Sequence, residues 1–251
     1  MIIPPAWKIS DAIRIRLGQS SYGRQRAIVE EGHLLLVLHK APGPDDRSRE
    51  GALFWRNPAG EWHYNRGGSG TGGLKRHVQS FAEIEAKLSA DYEKAADINT
   101  LFDLLETLTP LVRAARNMHQ ALQTAREAVK GDTFLIEMRD LAYEVERNFE
   151  LLCEDVRNAI QHRTARKAEE QARLSEQALH ASHRLNILAA LFFPLMAVAG
   201  LFGMNLSHGF SEHRPAVFWL VVVISCALGF GIKSWVLGKS KRAAPPAKKQ
   251  G

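Results

Sequence analysis

His180 and His183 lie three residues apart in a stretch of helix-forming composition, beside a long apolar run. On a helix this spacing puts both imidazoles on one face, where they could hold a metal ion or, repeated in a ring of copies, sense pH. The same spacing equally serves an interfacial pair. A second grouping, GGSGTGGLK at 67–75, resembles a phosphate loop only superficially. A P-loop requires G-x-x-x-x-G-K-[ST], and here Gly73 or Leu74 falls where the Lys belongs, so the stretch reads as a flexible linker. Asp45 and Asp46 sit in a Pro-Gly loop, and Glu169 and Glu170 read as the wet face of a helix. Cys153 and Cys226 form no CxxC pair and read as buried thiols. No nucleophile has a base partner, so neither an enzyme nor a bound cofactor is expected.

The most informative segment is AGLFGMNLSHG, residues 199–209, because of what surrounds it. From Leu185 to Ser211 there is no Asp, Glu, Lys or Arg. After Glu212, His213 and Arg214 a second uncharged run extends from Pro215 to Ile232. Each run is about the length a helix needs to cross a bilayer, roughly 17–25 residues. Soluble helices usually keep a polar face, and these runs have none. The mean hydropathy of −0.20 conceals this, since the apolar residues are concentrated at one end of the chain.

The net charge of +6 is distributed in a way that argues for a membrane and against a nucleic-acid partner. Lys233, Lys239, Lys241, Arg242, Lys248 and Lys249 follow the second run, and Arg166, Lys167, Arg173 and Arg184 precede the first. The intervening loop carries Arg214 alone. Basic flanks mark the cytoplasmic side, which predicts that the chain crosses twice with both termini cytoplasmic. Trp219 and Trp235 lie near opposite ends of the second run, where an aromatic belt would put them. The N-terminus, MIIPPAWKISDAIRIR, is too broken by Pro and charge for a cleavable signal.

Upstream elements must position these segments. IVEEGHLLLVLHK, 28–40, reads as a strand, and ALFWRNPAGEWHY, 52–64, as a hairpin around Asn-Pro-Ala-Gly. Helical periodicity starts at Ser80, where Ser80 and Glu83 fit a capping box. A second helical segment runs from about Asp97 to Lys130, with Pro110 as a kink or the start of a new turn. Gly131 ends it, and Asp132 or Thr133 can cap the next helix. There, Phe134, Met138, Leu141, Val145, Leu152, Val156 and Ala159 form a stripe at coiled-coil-like spacing. QHRTARKAEEQARLSEQALHASHRLN follows, without Gly or Pro until Pro194. The simplest reading is one helix over about 132–202, roughly 100 Å long, which needs partners to be stable.

The expected architecture is therefore a mainly α membrane protein. It has a small β-containing cytoplasmic region at 1–75, a helical domain and stalk at 76–184, two transmembrane helices at 185–238 and a basic cytoplasmic tail at 239–251. A long helix that enters the membrane, carries Pro194, ends on Gly200-x-x-Gly203-Met204-Asn205 and returns through a second span to a basic terminus resembles the CorA family of magnesium and divalent-cation channels. The strongest part of the likeness is FFPLMAVAGLFGMN at the outer end of the first of two C-terminal spans. The loop departs from the family: LSHGFSEHRPA has one acid, Glu212, and two histidines, His208 and His213, where relatives often carry an acidic segment.

The resemblance implies passive transport of hydrated Mg²⁺, with Co²⁺ or Ni²⁺ as further cargo, through a homo-oligomer expected to be a pentamer. Gly203, Met204 and Asn205 would form the selectivity filter, with the Asn205 carbonyl reaching the metal through its first-shell water. Such a neutral oxygen suits an ion that gives up water reluctantly and must also leave. If the first span lines the pore, stepping back from Gly200 gives Met196, Phe193, Ala189, Leu185 and Ser182, unless that stripe faces the second span instead. Pro194 would kink or loosen the helix. Family members bind regulatory Mg²⁺ at cytoplasmic acids; Asp97, Asp103, Glu137, Asp140 and Glu144 are the acids to test for that role. Two alternatives remain: a zinc transporter of the related ZntB type, which the loop histidines favour, and a membrane-anchored helical interaction protein that does not transport.

Overall fold

The computed structural model describes residues 3–17, 22–43, 50–203 and 215–242. Two compact units divide at Arg166 and Lys167.

The first unit is built on a four-stranded antiparallel meander: β1 (Arg26–Glu30), β2 (His33–His39), β3 (Gly51–Arg56) and β4 (Trp62–Tyr64), hydrogen-bonded in that order. Two strands therefore occupy the stretch expected to be one. The two-residue turn between them places Glu31 and Gly32 at φ 51° and 78°, the left-handed pair a tight hairpin demands. The 52–64 hairpin is as expected, with Gly60 at φ 90° closing its loop.

The sheet is covered on both faces, which explains why β2 reads as an unbroken apolar run. Side chains alternate along a strand. Leu34, Leu36 and Leu38 of β2, with Ala52 and Phe54 of β3, enter the helical core. Leu35, Val37, Leu53 and Trp55 point the other way into a smaller core with Ile3, Trp7, Ile9 and Ile13. Ile13 belongs to a short helix, α1 (Asp11–Arg16), capped by the Ser10 hydroxyl and too short to show a helical period in the sequence.

The second helix corrects the linker reading. α2 (Gly70–Lys94) starts inside the glycine-rich stretch, with Ser69 Oγ accepting from the Gly72 amide at 3.2 Å. Ser80, expected to cap, is an interior residue whose hydroxyl donates to the His77 carbonyl at 2.7 Å. Gly70 is required because a Cβ there would stand 2.3 Å from the Trp62 carbonyl carbon, and at Gly73 it would stand 2.9 Å from the Tyr64 ring. The glycines let a helix start flush against β4.

The Asp97 carboxylate caps α3 (Ile98–Ala128), accepting from the Asn99 and Thr100 amides at 2.7 and 3.0 Å. These bonds, with one from the Thr100 hydroxyl, hold the carboxyl below its ordinary range. The helix runs through Pro110 without a break. Gly131 at φ 84° reverses the chain, and α4 (Thr133–Gly203) continues for 71 residues, within one residue of the expected limits. Asp132 accepts from the Leu135 amide at 3.2 Å and from Arg56 Nε at 2.9 Å, tying the helix start to β3.

The expected α4 stripe is buried at Met138, Val145, Leu152 and Val156, and half-buried at Phe134, Leu141 and Ala159. Leu135, Ala142 and Phe149 widen it, since a helix packed into a globular core presents a broader face than a coiled-coil seam. Arg116 of α3 bridges Glu146 at 3.3 Å and also pairs with Glu150, while His119 meets Glu146 at 2.6 Å. Arg163 donates to the Ala95 carbonyl at 2.8 Å.

In the second unit α4 continues from Lys167, and α5 spans Pro215–Arg242. Residues 166–182 are exposed all round. The apolar end of α4 is long enough to cross a bilayer, and none of its apolar window is buried inside the chain; α5 carries a shorter apolar stretch, Trp219–Gly231. Cys153 is buried as expected, but Cys226 is exposed, because α5 has so little of this chain around it.

Candidate functional site

The candidate site is the apolar end of α4 and the face of α5 beside it. Contact between the helices is made by small residues. A Cβ on Gly229 would lie 3.1 Å from the Leu191 carbonyl oxygen and 3.3 Å from a Leu191 methyl. Ser225, one turn earlier on α5, is 1% exposed, and its hydroxyl is satisfied within the helix by donating to the Val221 carbonyl at 2.8 Å. Ser225 and Gly229 form a small-xxx-small pair, which lets helix backbones approach in a medium that offers no hydrophobic drive. That spacing is visible in the sequence, but the helix it meets is set by the fold.

Leu191 marks which side of α4 meets α5. His183, Ile187, Ala190, Leu191, Pro194 and Val198 are half-buried and recur at helical steps of three and four. At 100° per residue they share one face. Of the stripe assigned from the sequence, Ser182, Leu185, Phe193, Met196 and Gly200 are exposed and centre on the opposite face; Ala189 is half-buried. Leu185, Phe193 and Met196 are each about two-thirds exposed, at 65%, 68% and 66%. A Cβ on Gly200 would meet nothing within 4 Å. Pro194 lies inside α4, which continues through it to Gly203.

Gly203 is the last residue of α4. Met204, Asn205, His208, Glu212 and His213 fall outside the described residues. His180 is exposed and lies 3.8 Å from Glu176 one turn back. Among the described residues no three His, Cys, Asp or Glu side chains gather as a metal site. Of the acids considered for regulation, Asp97 is engaged as a helix cap, while Glu137 pairs with Lys75 at 3.0 Å and Asp140 with Arg139 at 3.1 Å.

The family model for the CorA-like Mg²⁺ transporter protein matches residues 78–242, from early α2 to the end of α5. The chain belongs to the CorA-like Mg²⁺ transporter family. This is a family of membrane transporters of divalent cations, and its matched region contains both apolar helices and the residues between them. No curated protein matches the chain. Among solved structures it is similar to the full-length CmaX protein, at 17% identity and a TM-score of 0.52, over 93% of this chain and 82% of that one. This likeness extends to the fold. Weaker likenesses link this CorA-like chain to the CorA magnesium transporter from Methanocaldococcus jannaschii (14% identity, TM-score 0.43, 94% of this chain and 84% of that one). The same holds for the ZntB cytoplasmic domain from Vibrio parahaemolyticus RIMD 2210633 (10% identity, TM-score 0.45, 63% and 80%).

Proposed function

We propose that this CorA-like protein moves hydrated divalent cations, chiefly Mg²⁺, passively across the inner membrane through a homopentamer, with Co²⁺ and Ni²⁺ as further cargo. The observation that carries the reading is the family match running unbroken through both apolar helices. In this reading both are transmembrane and both termini are cytoplasmic. The α4 stripe from Ser182 to Gly200 lines the conduit, supported by its lying opposite the face that meets α5. A mostly apolar lining holds a hydrated ion weakly and can close by dewetting. Asn205, with Gly203 and Met204, forms the entry filter and touches the ion through its water shell. Entry is driven by the membrane potential, about 2.3 kcal/mol per charge for each 100 mV.

The test is Mg²⁺ influx into proteoliposomes, wild type beside Asn205→Ala, with a second arm measuring Zn²⁺ under a pH gradient. Influx by wild type that the substitution abolishes is the expected result. Zn²⁺ movement with protons and no Mg²⁺ influx would replace this reading by ZntB-type transport, which His208 and His213 favour. No movement of either ion in intact oligomers would leave a membrane anchor.

A further inference from the structure

A cavity of about 250 Å³ opens in the first unit between the end of the sheet where β1 begins, β2 ends and β3 begins and the middle of α3. Gln25 and Lys40 line one side, Glu50 the rim, and Pro110, Arg113 and Asn117 the α3 side. Its size is below the range of about 300–1,000 Å³ usual for drug-sized ligands, so it suits a smaller molecule.

The wall is built. Gln25 is 7% exposed and both ends of its amide are engaged: Nε2 donates to the Ala114 carbonyl at 2.9 Å, and Oε1 accepts from the His39 amide at 3.3 Å. It therefore joins strand and helix and leaves the cavity's polar recognition to other groups. Glu50 is neutralised from outside the cavity by Arg66 at 2.6 Å, and Lys40 lies 3.4 Å from the same carboxylate. Arg66, then Lys40, hold that carboxyl below its ordinary range, so it stays charged and spoken for. Arg113 is exposed and takes part in none of the ion pairs among the described residues. One turn on, Asn117 is exposed and also lines the cavity, and its side chain carries an amide able to donate. With Glu50 satisfied by Arg66, the balance of the described residues that line the cavity is cationic.

We propose that this cavity is an effector site for a small organic or inorganic anion bearing two or more ionised oxygens, a phosphate or a polycarboxylate, held by Arg113 and Lys40 with Asn117 donating. Arg113 supplies the planar fork that matches such oxygens in pairs, and Lys40 adds a point charge. The apolar ring of Pro110 fills the floor beside them. The site's output runs through α3. Arg116, three residues on from Arg113 and next to Asn117 in the chain, is bonded to Glu146 and Glu150 of α4, the helix that carries the proposed conduit. Occupancy thus bears on the same α3 segment that grips α4. This output rests on the transport reading above; the binding does not.

Isothermal titration of the purified full-length protein with inorganic phosphate and, separately, citrate, at constant ionic strength, tests the site. The expected result is saturable binding of at least one anion, weakened about tenfold or more by Arg113→Ala and by Lys40→Ala, roughly the loss of a charge-assisted bond. Arg157→Ala, an exposed cation on α4 outside the cavity, should leave affinity unchanged. Preference for phosphate or for citrate identifies the class. Failure of both anions to bind, or equal weakening by Arg157→Ala, would overturn the proposal. Unchanged melting temperatures of the unliganded variants show that any loss is not unfolding. A protein that binds the anion but moves no cation retains this site and loses only the transport reading.

Discussion

Gly229 of α5 sits against the backbone of Leu191 on α4, so close that a Cβ there would be 3.1 Å from the Leu191 carbonyl oxygen. That distance is tighter than ordinary van der Waals contact, and the atom it meets is main chain, which cannot rotate away. Gly229→Ala should therefore push the helices apart by a few tenths of an ångström at a small loss, and Gly229→Leu should cost about 1–3 kcal/mol by overpacking. Melting temperature and oligomer retention in detergent, compared across Gly, Ala and Leu, check the order.

The same contact fixes an accessibility pattern along α4. In a background of Cys153→Ala and Cys226→Ser, single cysteines at Ser182, Leu185, Phe193, Met196 and Gly200 should react with a water-soluble thiol reagent in the assembled protein. Cysteines at Ile187, Leu191, Pro194 and Val198 should be protected. Uniform protection of the first set with labelling of the second would remove the stripe from the conduit.

His77 gives the first unit a pH dependence. Burial is the main reason its pKa drops from 6.5 to about 4, with Arg66 and His39 adding to the fall and the His39 backbone opposing it. Its Nε2 has no hydrogen-bond partner. The unfolded chain takes up this proton below about pH 6.5, whereas the native imidazole stays neutral until about pH 4. Stability is therefore full above pH 6.5 and is lost as the pH falls through that window, by about 3 kcal/mol at most. Thermal melts of wild type and His77→Phe between pH 7 and 4 should converge in slope only if another group is responsible; the variant's curve should be the flatter.

Asp132 carries two interactions that substitution can separate. It caps α4 and it pairs with Arg56, both side chains being largely buried at 13% and 20% exposure. Asp132→Asn keeps an acceptor for the Leu135 amide and loses the ion pair. Asp132→Ala loses both and leaves Arg56 uncompensated, which predicts a cost of about 3–5 kcal/mol, with Asn intermediate. Chemical denaturation of the pair of variants measures the split.

What could be read from the sequence follows from how local its cause is. The limits of α4 were legible because Gly131 and Asp132 are local stop and start signals and nothing from there to Pro194 breaks a helix. The first turn of α2 was not, because Gly70 and Gly73 serve an approach to Trp62 and Tyr64, residues on another element. β1 was hidden because four of its five residues are only half-buried, so its pattern is faint. At the site, helical period groups Ser182, Leu185, Ala189, Phe193, Met196 and Gly200 on one side of α4, but the choice of that side came from the family resemblance, and the choice of Leu191 and Gly229 as the helix contact depends on the partner helix. The anion cavity has no sequence signature at all, since Lys40 and Arg113 are brought together only by the fold.

β2, with HLLLVLH buried on both faces, has a consequence for the life of the chain before it is finished. Such a segment, free of charge and Pro, is the kind that stacks with copies of itself when it is left bare on the ribosome. Here its two partners are its immediate neighbours in the chain, β1 before it and β3 just after, so pairing needs only short loops to close. In sequence order both partners of this strand precede Leu185, so its pairing can close before the apolar end of α4 is made. The order in which the gene lays out these elements works as a chaperone would.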